Sequence, residues 1–469
     1  MARVRFAAGI GALASLLFLV AGHGLVNYDT LYTLVWGRDL AHGALPDYDV
    51  PLAPTPHPLA TLLALLATPL SDLRAGGVDG ELAATGVIAL AFVALALLGW
   101  VVYRLGTEWF HPAVGVLATV LLLTRRPVLD FGARAYVDVP YLVLVLGAAL
   151  VESRRPRAGR PVLLLLGAAG LIRPEAWLFA GAYLLYARDL RLLPYAAIGP
   201  LGWALYDLVI TGNPLHSLTD TQDNAAALSR VTGLENVPGT VPRRLGEILR
   251  EPVLLGAAGG GVLALLWLRQ RAKLGATVGV LGLLAFCVLA AAGLPILGRY
   301  LLLPAAILTI FAAAGVLGWL ALPPDDPRRR PWQAFGALVA VALLAFTPGQ
   351  VDRISDLRRA LRIQKGIQGD LARLVADDRL PRACTPVTVP NRRPIPLLAL
   401  WLDRPPQSFA TAQDTAPTRG VLLQPASARV AEDYILDPRD RDRSVPAPPA
   451  AFRRVDGNAS WLLLTAGCG

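Results

Sequence analysis

Asp29 stands where the first apolar run of the sequence ends, at the head of a stretch, Gly24 to Leu70, in which polar and aromatic residues interrupt the hydrophobic pattern. A carboxylate at the edge of an apolar segment is costly and is kept for function by default, which makes Asp29 the first candidate for catalysis. Its alternative role is to cap the helix that follows. Two arginines are placed to meet an anion. Arg299-Tyr300 opens an apolar run, where a guanidinium fork can grip a phosphate without losing its charge, or else snorkel to the membrane surface. Arg173-Pro174-Glu175 breaks another apolar segment. Such a break is tolerated at membrane depth only where it lines a cavity or is buried in protein. Arg173 then binds an anion or pairs with Glu175, and Glu175 lines the cavity.

Four further polar residues belong to the same reading. Asp138, beside Arg134 and Tyr136 at the start of an apolar run, binds an acceptor group or a metal, or caps its helix and pairs with Arg134. Arg134 is taken as a cavity residue. His57 before Pro58 contacts phosphate or simply starts a helix. Asn213 before Pro214 lines the cavity or stops a helix. Asp39, Asp47 and Asp49 read as solvated loop carboxylates.

The elements that position these residues follow from composition and periodicity. The 469 residues are 55% hydrophobic and 17% charged, too apolar for a soluble globular chain of this length, so the protein is read as polytopic in the membrane. The net charge of +10 comes with no nucleic-acid recognition motif, and anionic lipid is the expected partner. Of the basic residues only Lys273 and Lys365 are lysine, as in proteins from GC-rich bacterial genomes. Spans are read at 6–25, 81–103, 112–123, 136–151, 192–210, 252–268, 274–292, 300–322 and 332–346, with a broken hairpin over 162–187. The basic loop at 152–161 marks the cytoplasmic side. It follows that the first loop, 26–80, and everything after 346 are extracytoplasmic.

Within that loop Leu31, Leu34, Val35 and Leu40 share a helical face, with Tyr32, Trp36 and Arg38 as interfacial residues, so a helix is expected to lie on the membrane. The run His57–Leu70 is shorter than the about 20 residues a span needs, and reads as a second interfacial helix. The segment 241–250 is a short amphipathic surface helix. The fold class is therefore mainly α: a transmembrane helical domain over 1–346 and a small extracytoplasmic α/β domain over 347–469. That last domain carries a helix at 354–375, short strands at 386–389 and 420–423, and a strand-like run within 451–465. Outside the cell Cys384 and Cys468 can form a disulfide, whereas Cys287 is a packing residue in an apolar run.

An acidic residue at the outer end of the first helix, followed by a large loop with two membrane-parallel helices, resembles the GT-C superfamily of polyprenyl-phosphate-sugar-dependent glycosyltransferases. Arg134-Ala-Tyr-Val-Asp-Val-Pro, Leu171-Ile-Arg-Pro-Glu-Ala-Trp, Thr211-Gly-Asn-Pro-Leu-His-Ser and Gly298-Arg-Tyr-Leu-Leu-Leu-Pro resemble segments of bacterial members related to protein O-mannosyltransferases and lipid A sugar transferases. The resemblance covers residues 1 to 320. It implies a GT-C-like fold and inverting transfer of a sugar from a polyprenyl-phosphate carrier to a lipid, glycan or protein hydroxyl. Such transfer needs a base for the acceptor proton and cations for the leaving phosphate. Asp29 fits the base, and Arg299, Arg173, Tyr300 and His57 fit the phosphate. Many relatives carry two adjacent acidic residues in the first loop, whereas Asp29 is flanked by Tyr28 and Thr30.

Some GT-C enzymes use a metal and others do not. The sequence has no zinc-ligand spacing, and a divalent ion such as Mg or Mn would need oxygens like those of Asp29 and Asp138. No phosphate-binding glycine loop follows a strand, which disfavours direct use of a nucleotide sugar. A transporter or flippase for a lipid-linked or anionic substrate would also place charges in a broken helix, but no second half mirrors the first. A membrane scaffold would have no need of Asp29.

Overall fold

The computed structural model describes residues 2–48, 50, 52–73, 75–380, 384–437, 440 and 443–468. Asp49 lies outside the described residues. The chain divides into two compact units, Met1–Ala21 with Leu90–Val209 and Val231–Leu357, and Gly22–Ala89 with Ile210–Arg230 and Arg358–Gly469. These differ from the expected break at residue 346, because the first loop groups with the C-terminal residues.

The first unit is helical. Arg3–Ala21, Glu81–Trp109, Arg269–Ala291 and Gly298–Ala321 are long and apolar enough to cross a membrane, and four bent helix pairs among the described residues bring the spans to as many as eight. With leucines exposed along their outer faces, these helices belong to a multi-pass membrane protein. The first helix stops at Ala21, short of the expected residue 25, because Gly22 takes a φ of +80° that ends the helical path. Helix Leu302–Leu317 is buried along nearly its whole length. It packs against Glu251–Trp267 through glycines: a Cβ on Gly260 would stand 2.2 Å from the Phe311 carbonyl oxygen, and one on Gly315 2.5 Å from that of Gly256. Small residues that let backbones approach this closely are how helices associate where lipid removes the hydrophobic drive. The broken hairpin appears as Arg160–Gly170 and Glu175–Ala187, with Arg173-Pro174 at the break. The amphipathic segment is longer than expected, Val237–Leu249, and meets Glu251–Trp267 at 109°, with Arg250 in the left-handed region.

The second unit is built around helix Tyr28–Ala41. Thr30 through Arg38 are all buried, so this is a core helix and not one lying on the membrane. The sequence displays only its own amphipathicity, whereas its cover comes from elsewhere in the chain. Helix Pro58–Leu66 lies so close that a Cβ on Gly37 would fall 2.6 Å from that of Ala64. Helix Ile395–Leu402 is gripped by Arg38, which donates to the carbonyls of Leu400 at 3.2 Å and Ala399 at 3.4 Å and pairs with Asp403 at 3.0 Å. A cation here adds a charged donor to the last carbonyls of a helix, of which that of Ala399 also accepts the Asp403 and Arg404 N–H groups, and complements its dipole. Leu62, Leu63 and Leu66 remain exposed on helix Pro58–Leu66, as expected of a helix that meets lipid.

Five strands, β1 (Val387–Val389), β2 (Phe409–Thr411), β3 (Gly420–Pro425), β4 (Arg453–Gly457) and β5 (Trp461–Ala466), form one sheet in the order β2-β1-β3-β5-β4. β1 is parallel to β2 and β3, and β5 is antiparallel to β3 and β4. The apolar run expected near 451–465 is thus a hairpin of two strands. One core joins Leu31, Leu34 and Val35 to Leu371, Leu398, Val421 and Leu463. Cys384 and Cys468 are disulfide-bonded, with Cα atoms 5.6 Å apart. Helix Ile395–Leu402 and β2 escape the sequence reading because the one is apolar on every side and the other is three residues long.

Arg38→Gln is expected to destabilise the protein by about 2 to 3 kcal/mol, since two buried carbonyls lose a charged donor. Asp403→Asn should cost less than about 1 kcal/mol, because its carboxylate is mostly in water. Chemical denaturation of both variants checks the contrast, and equal losses would refute the capping role.

Candidate functional site

In the first unit the residues singled out by the sequence converge. Asp138 sits in the first turn of helix Asp138–Arg154, Glu175 in the first turn of Glu175–Ala187, Arg173 in the break before it, and Arg299 and Tyr300 in the single turn Gly298–Leu301. Arg173 donates through Nη1 to Asp138 Oδ1 at 2.7 Å and through Nε to Glu175 Oε1 at 3.2 Å. The Tyr300 ring lies between two cations, 4.4 Å from the Arg173 guanidinium and 5.7 Å from that of Arg299, which also lies 5.5 Å from the Tyr136 ring. These groups line a cavity of about 10 Å³ with Tyr141, Leu142, Leu302 and Leu303, room for one water. Asp138 Oδ2 and Glu175 Oε2 are buried there without a protein partner.

Several expectations change. Arg173 pairs with Asp138 as well as with the Glu175 that the sequence offered it. Asp138 has Arg173 as its partner, not Arg134. Asp130 and Asp138 are equally spaced from Arg134 in sequence, but only Asp130 shares its helix; Ala135, with a φ of +54°, breaks the path to Asp138. Arg134 accordingly binds Asp130 at 2.6 Å. Asn213 is exposed, and its Oδ1 accepts the Leu215 N–H in a turn. Among the described residues no three His, Cys, Asp or Glu gather as metal ligands. Asp138, one of the oxygens a divalent ion would need, has its Oδ1 bound to the Arg173 guanidinium.

The second unit holds Asp29. Asn27 caps the helix, with Oδ1 accepting the Asp29 N–H at 2.8 Å and the Thr30 N–H at 3.2 Å, so the capping alternative for Asp29 belongs to its neighbour. Asp29 is half-buried in the first turn, where the helix dipole favours a carboxylate. An aromatic ladder climbs from it. Tyr28 and Tyr32 have ring centroids 5.0 Å apart, Tyr32 and Trp36 5.2 Å, Trp36 and Tyr48 4.6 Å, and Tyr48 stacks on His216 at 5.7 Å. Burial raises the Tyr28 phenol well above its ordinary value and pushes that of Tyr32 up to about 12. Asp39 is not the solvated carboxylate expected, since burial raises it too. His57 starts helix Pro58–Leu66 and is buried.

Sequence reasoning missed Arg392, Arg230 and Asp440. The Arg392 and Arg230 guanidiniums each bind one oxygen of the buried Asp440 carboxylate, both at 2.7 Å. The only local signal is the Asn391-Arg392-Arg393-Pro394 step between a strand and a helix.

The class defined by these features is a multi-pass helical membrane protein with a small mixed sheet. No protein-family model matches the sequence, and no curated protein matches it. Similar solved structures include ArnT from Cupriavidus metallidurans bound to undecaprenyl phosphate, at 14% identity and a TM-score of 0.49 over 99% of each chain. The same protein in the apo state is similar at 14% identity and a TM-score of 0.47 over all of each chain.

Arg173→Ala strands two buried carboxylates and is expected to cost about 3 to 5 kcal/mol. The triple variant that adds Asp138→Asn and Glu175→Gln should regain most of this; thermal unfolding of both proteins checks it, and a triple variant no more stable than Arg173→Ala would discard the counter-ion role.

The Tyr32 phenol gives a pH signature. Between about pH 10 and 12 the unfolded chain has lost a proton that the folded protein keeps, so stability falls as pH rises through that window. Tyr32→Phe should shallow the fall, as read from unfolding midpoints across this range.

Proposed function

We propose that this chain is a membrane glycosyltransferase that moves a sugar from a polyprenyl-phosphate carrier to a hydroxyl of a lipid, glycan or protein acceptor on the extracytoplasmic side. Asp29 is the base that takes the acceptor proton. The observation that supports this reading is its setting: Asn27 caps the helix, so the half-exposed Asp29 carboxylate is not spent as the cap, and it stands at the start of a helix whose residues Thr30 to Arg38 are buried. Arg299, braced between Tyr136 and Tyr300, is the first unit's candidate for holding the carrier phosphate. Donor class and inversion come from the resemblance in motifs, and a divalent cation stays optional.

The test is sugar transfer from a lipid-linked donor in membranes, with stability followed on the same purified variants. Asp29→Asn should lower turnover by about 10² or more while leaving stability and donor binding near wild type. Asn27→Ala should do the opposite, losing about 1 kcal/mol of stability with turnover retained in the folded fraction. Arg299→Ala should weaken both donor binding and turnover, by about 2 to 4 kcal/mol in total. Full turnover in a folded Asp29→Asn protein would remove Asp29 as the base.

A further inference from the structure

The two helices that meet at Arg173-Pro174 have their other ends in an arginine-rich surface of the first unit. Segments 152–160 and 183–195 carry Arg154, Arg155, Arg157, Arg160, Arg188 and Arg191 against two acids, Glu152 and Asp189. Both acids are engaged elsewhere. Buried Glu152 accepts the Arg157 N–H at 2.8 Å and the Tyr183 hydroxyl at 2.9 Å, and Asp189 accepts the N–H of Arg191 at 3.0 Å. Arg154 pairs with Glu108 at 2.8 Å. The other five arginines are exposed, and their guanidiniums have no hydrogen-bond acceptor among the described residues.

This surface is shaped from beneath. Arg157 and Gly159 both take left-handed backbone, with φ of +59° and +72°, and the Gly159 N–H donates to the Tyr183 hydroxyl at 2.9 Å. Tyr183 thereby ties the loop to helix Glu175–Ala187. Two of the arginines lie over rings, Arg157 at 5.4 Å from Tyr186 and Arg160 at 5.5 Å from Tyr195. A ring under a guanidinium restrains it while leaving its N–H donors open. Interleaved with the arginines in sequence are Leu185, Leu190 and Leu193, which are 78%, 81% and 53% exposed. A small anion in water needs no leucines, whereas a phospholipid offers a phosphate to the one set and acyl chains to the other.

We propose that this surface binds an anionic phospholipid, with Arg157 and Arg160 on the head-group phosphate, Arg155, Arg188 and Arg191 around it, and Leu190 and Leu193 against the acyl chains. The lipid is neither sugar donor nor acceptor, so the site stands apart from the proposed reaction. Helix Arg160–Gly170 begins here and helix Glu175–Ala187 ends here. A bound lipid therefore joins the two ends of the hairpin that holds Arg173 at its break.

The full chain, purified in detergent, is titrated with dioleoylphosphatidylglycerol, dioleoylphosphatidylcholine and glycerophosphoglycerol, the head group without chains. Wild type is expected to bind the anionic lipid about tenfold or more tighter than the zwitterionic one, to unfold at higher temperature with it, and to bind the bare head group far more weakly. The double variant Arg157→Gln with Arg160→Gln should bring the two lipids to within about twofold of each other. Arg269→Gln with Arg271→Gln removes the same charge from another exposed turn and should keep the preference. Tyr183→Phe changes no charge, yet it takes the hydroxyl from Gly159 and Glu152 and should weaken the anionic lipid severalfold; its unfolding temperature without lipid shows whether the fold is intact. Equal losses in the two arginine pairs, or wild-type affinity in a folded Tyr183→Phe protein, would mean that net charge alone attracts the lipid and would overturn the site. Head-group binding as tight as that of the whole lipid, or no lipid preference in wild type, would overturn it as well.

Discussion

The buried guanidinium of Arg38 is the contact on which the second unit depends. It joins the helix that begins with Tyr28 and Asp29 to the end of a helix 362 residues later in the chain. A buried arginine is stable only when its donors are met, and backbone carbonyls at a helix end can meet it without a second full charge. The consequence is positional. With Arg38 held at one end and Trp36 wedged against Tyr48, helix Tyr28–Ala41 has little freedom to slide, and Asp29 is carried at its start at a fixed height. A side chain on a helix braced in this way keeps its geometry better than one on a loop.

The first unit solves a different electrostatic problem. Arg173 sits where Pro174 breaks a helix, and burying its charge alone would be prohibitive. Asp138 and Glu175 offset the cation from two other helix starts, and Tyr141 and Tyr300 lay their rings against it. The cluster therefore ties three chain segments together before it does any chemistry. On the carboxylate side Asp138 Oδ2 and Glu175 Oε2 remain without a protein partner.

Much of the helical plan was legible because membrane spans, a proline with adjacent charges and a basic loop are local signals. The break at Arg173-Pro174 and the two helices of the first loop follow from a few consecutive residues. The cover of helix Tyr28–Ala41 was not legible, since its amphipathic face looks the same whether it meets lipid or a helix from the far end of the chain. Pairing was harder still. Arg134 had two equally spaced carboxylates, and a backbone break at Ala135 decided between them. Asn27 and Asp29 both suited a cap, and only geometry assigned it. Cys384 and Cys468 were easier to match, because burial and compartment left few alternatives.

The arginines show why residue type and membrane position are a weak guide to anion binding. Arg38, Arg173 and Arg392 are all largely shielded from water, and each carries the same formal charge. What separates them is how the donors are already spent. Arg38 gives its fork to carbonyls and a surface carboxylate, and Arg173 gives Nε and Nη1 to two buried carboxylates. Arg392 gives one nitrogen to a carboxylate that Arg230 also holds. A carboxylate shared in this way holds two cations at one place and fixes the orientation of each. Preorganised charge with open donors is what lets a cation favour an anion without first giving up an internal bond.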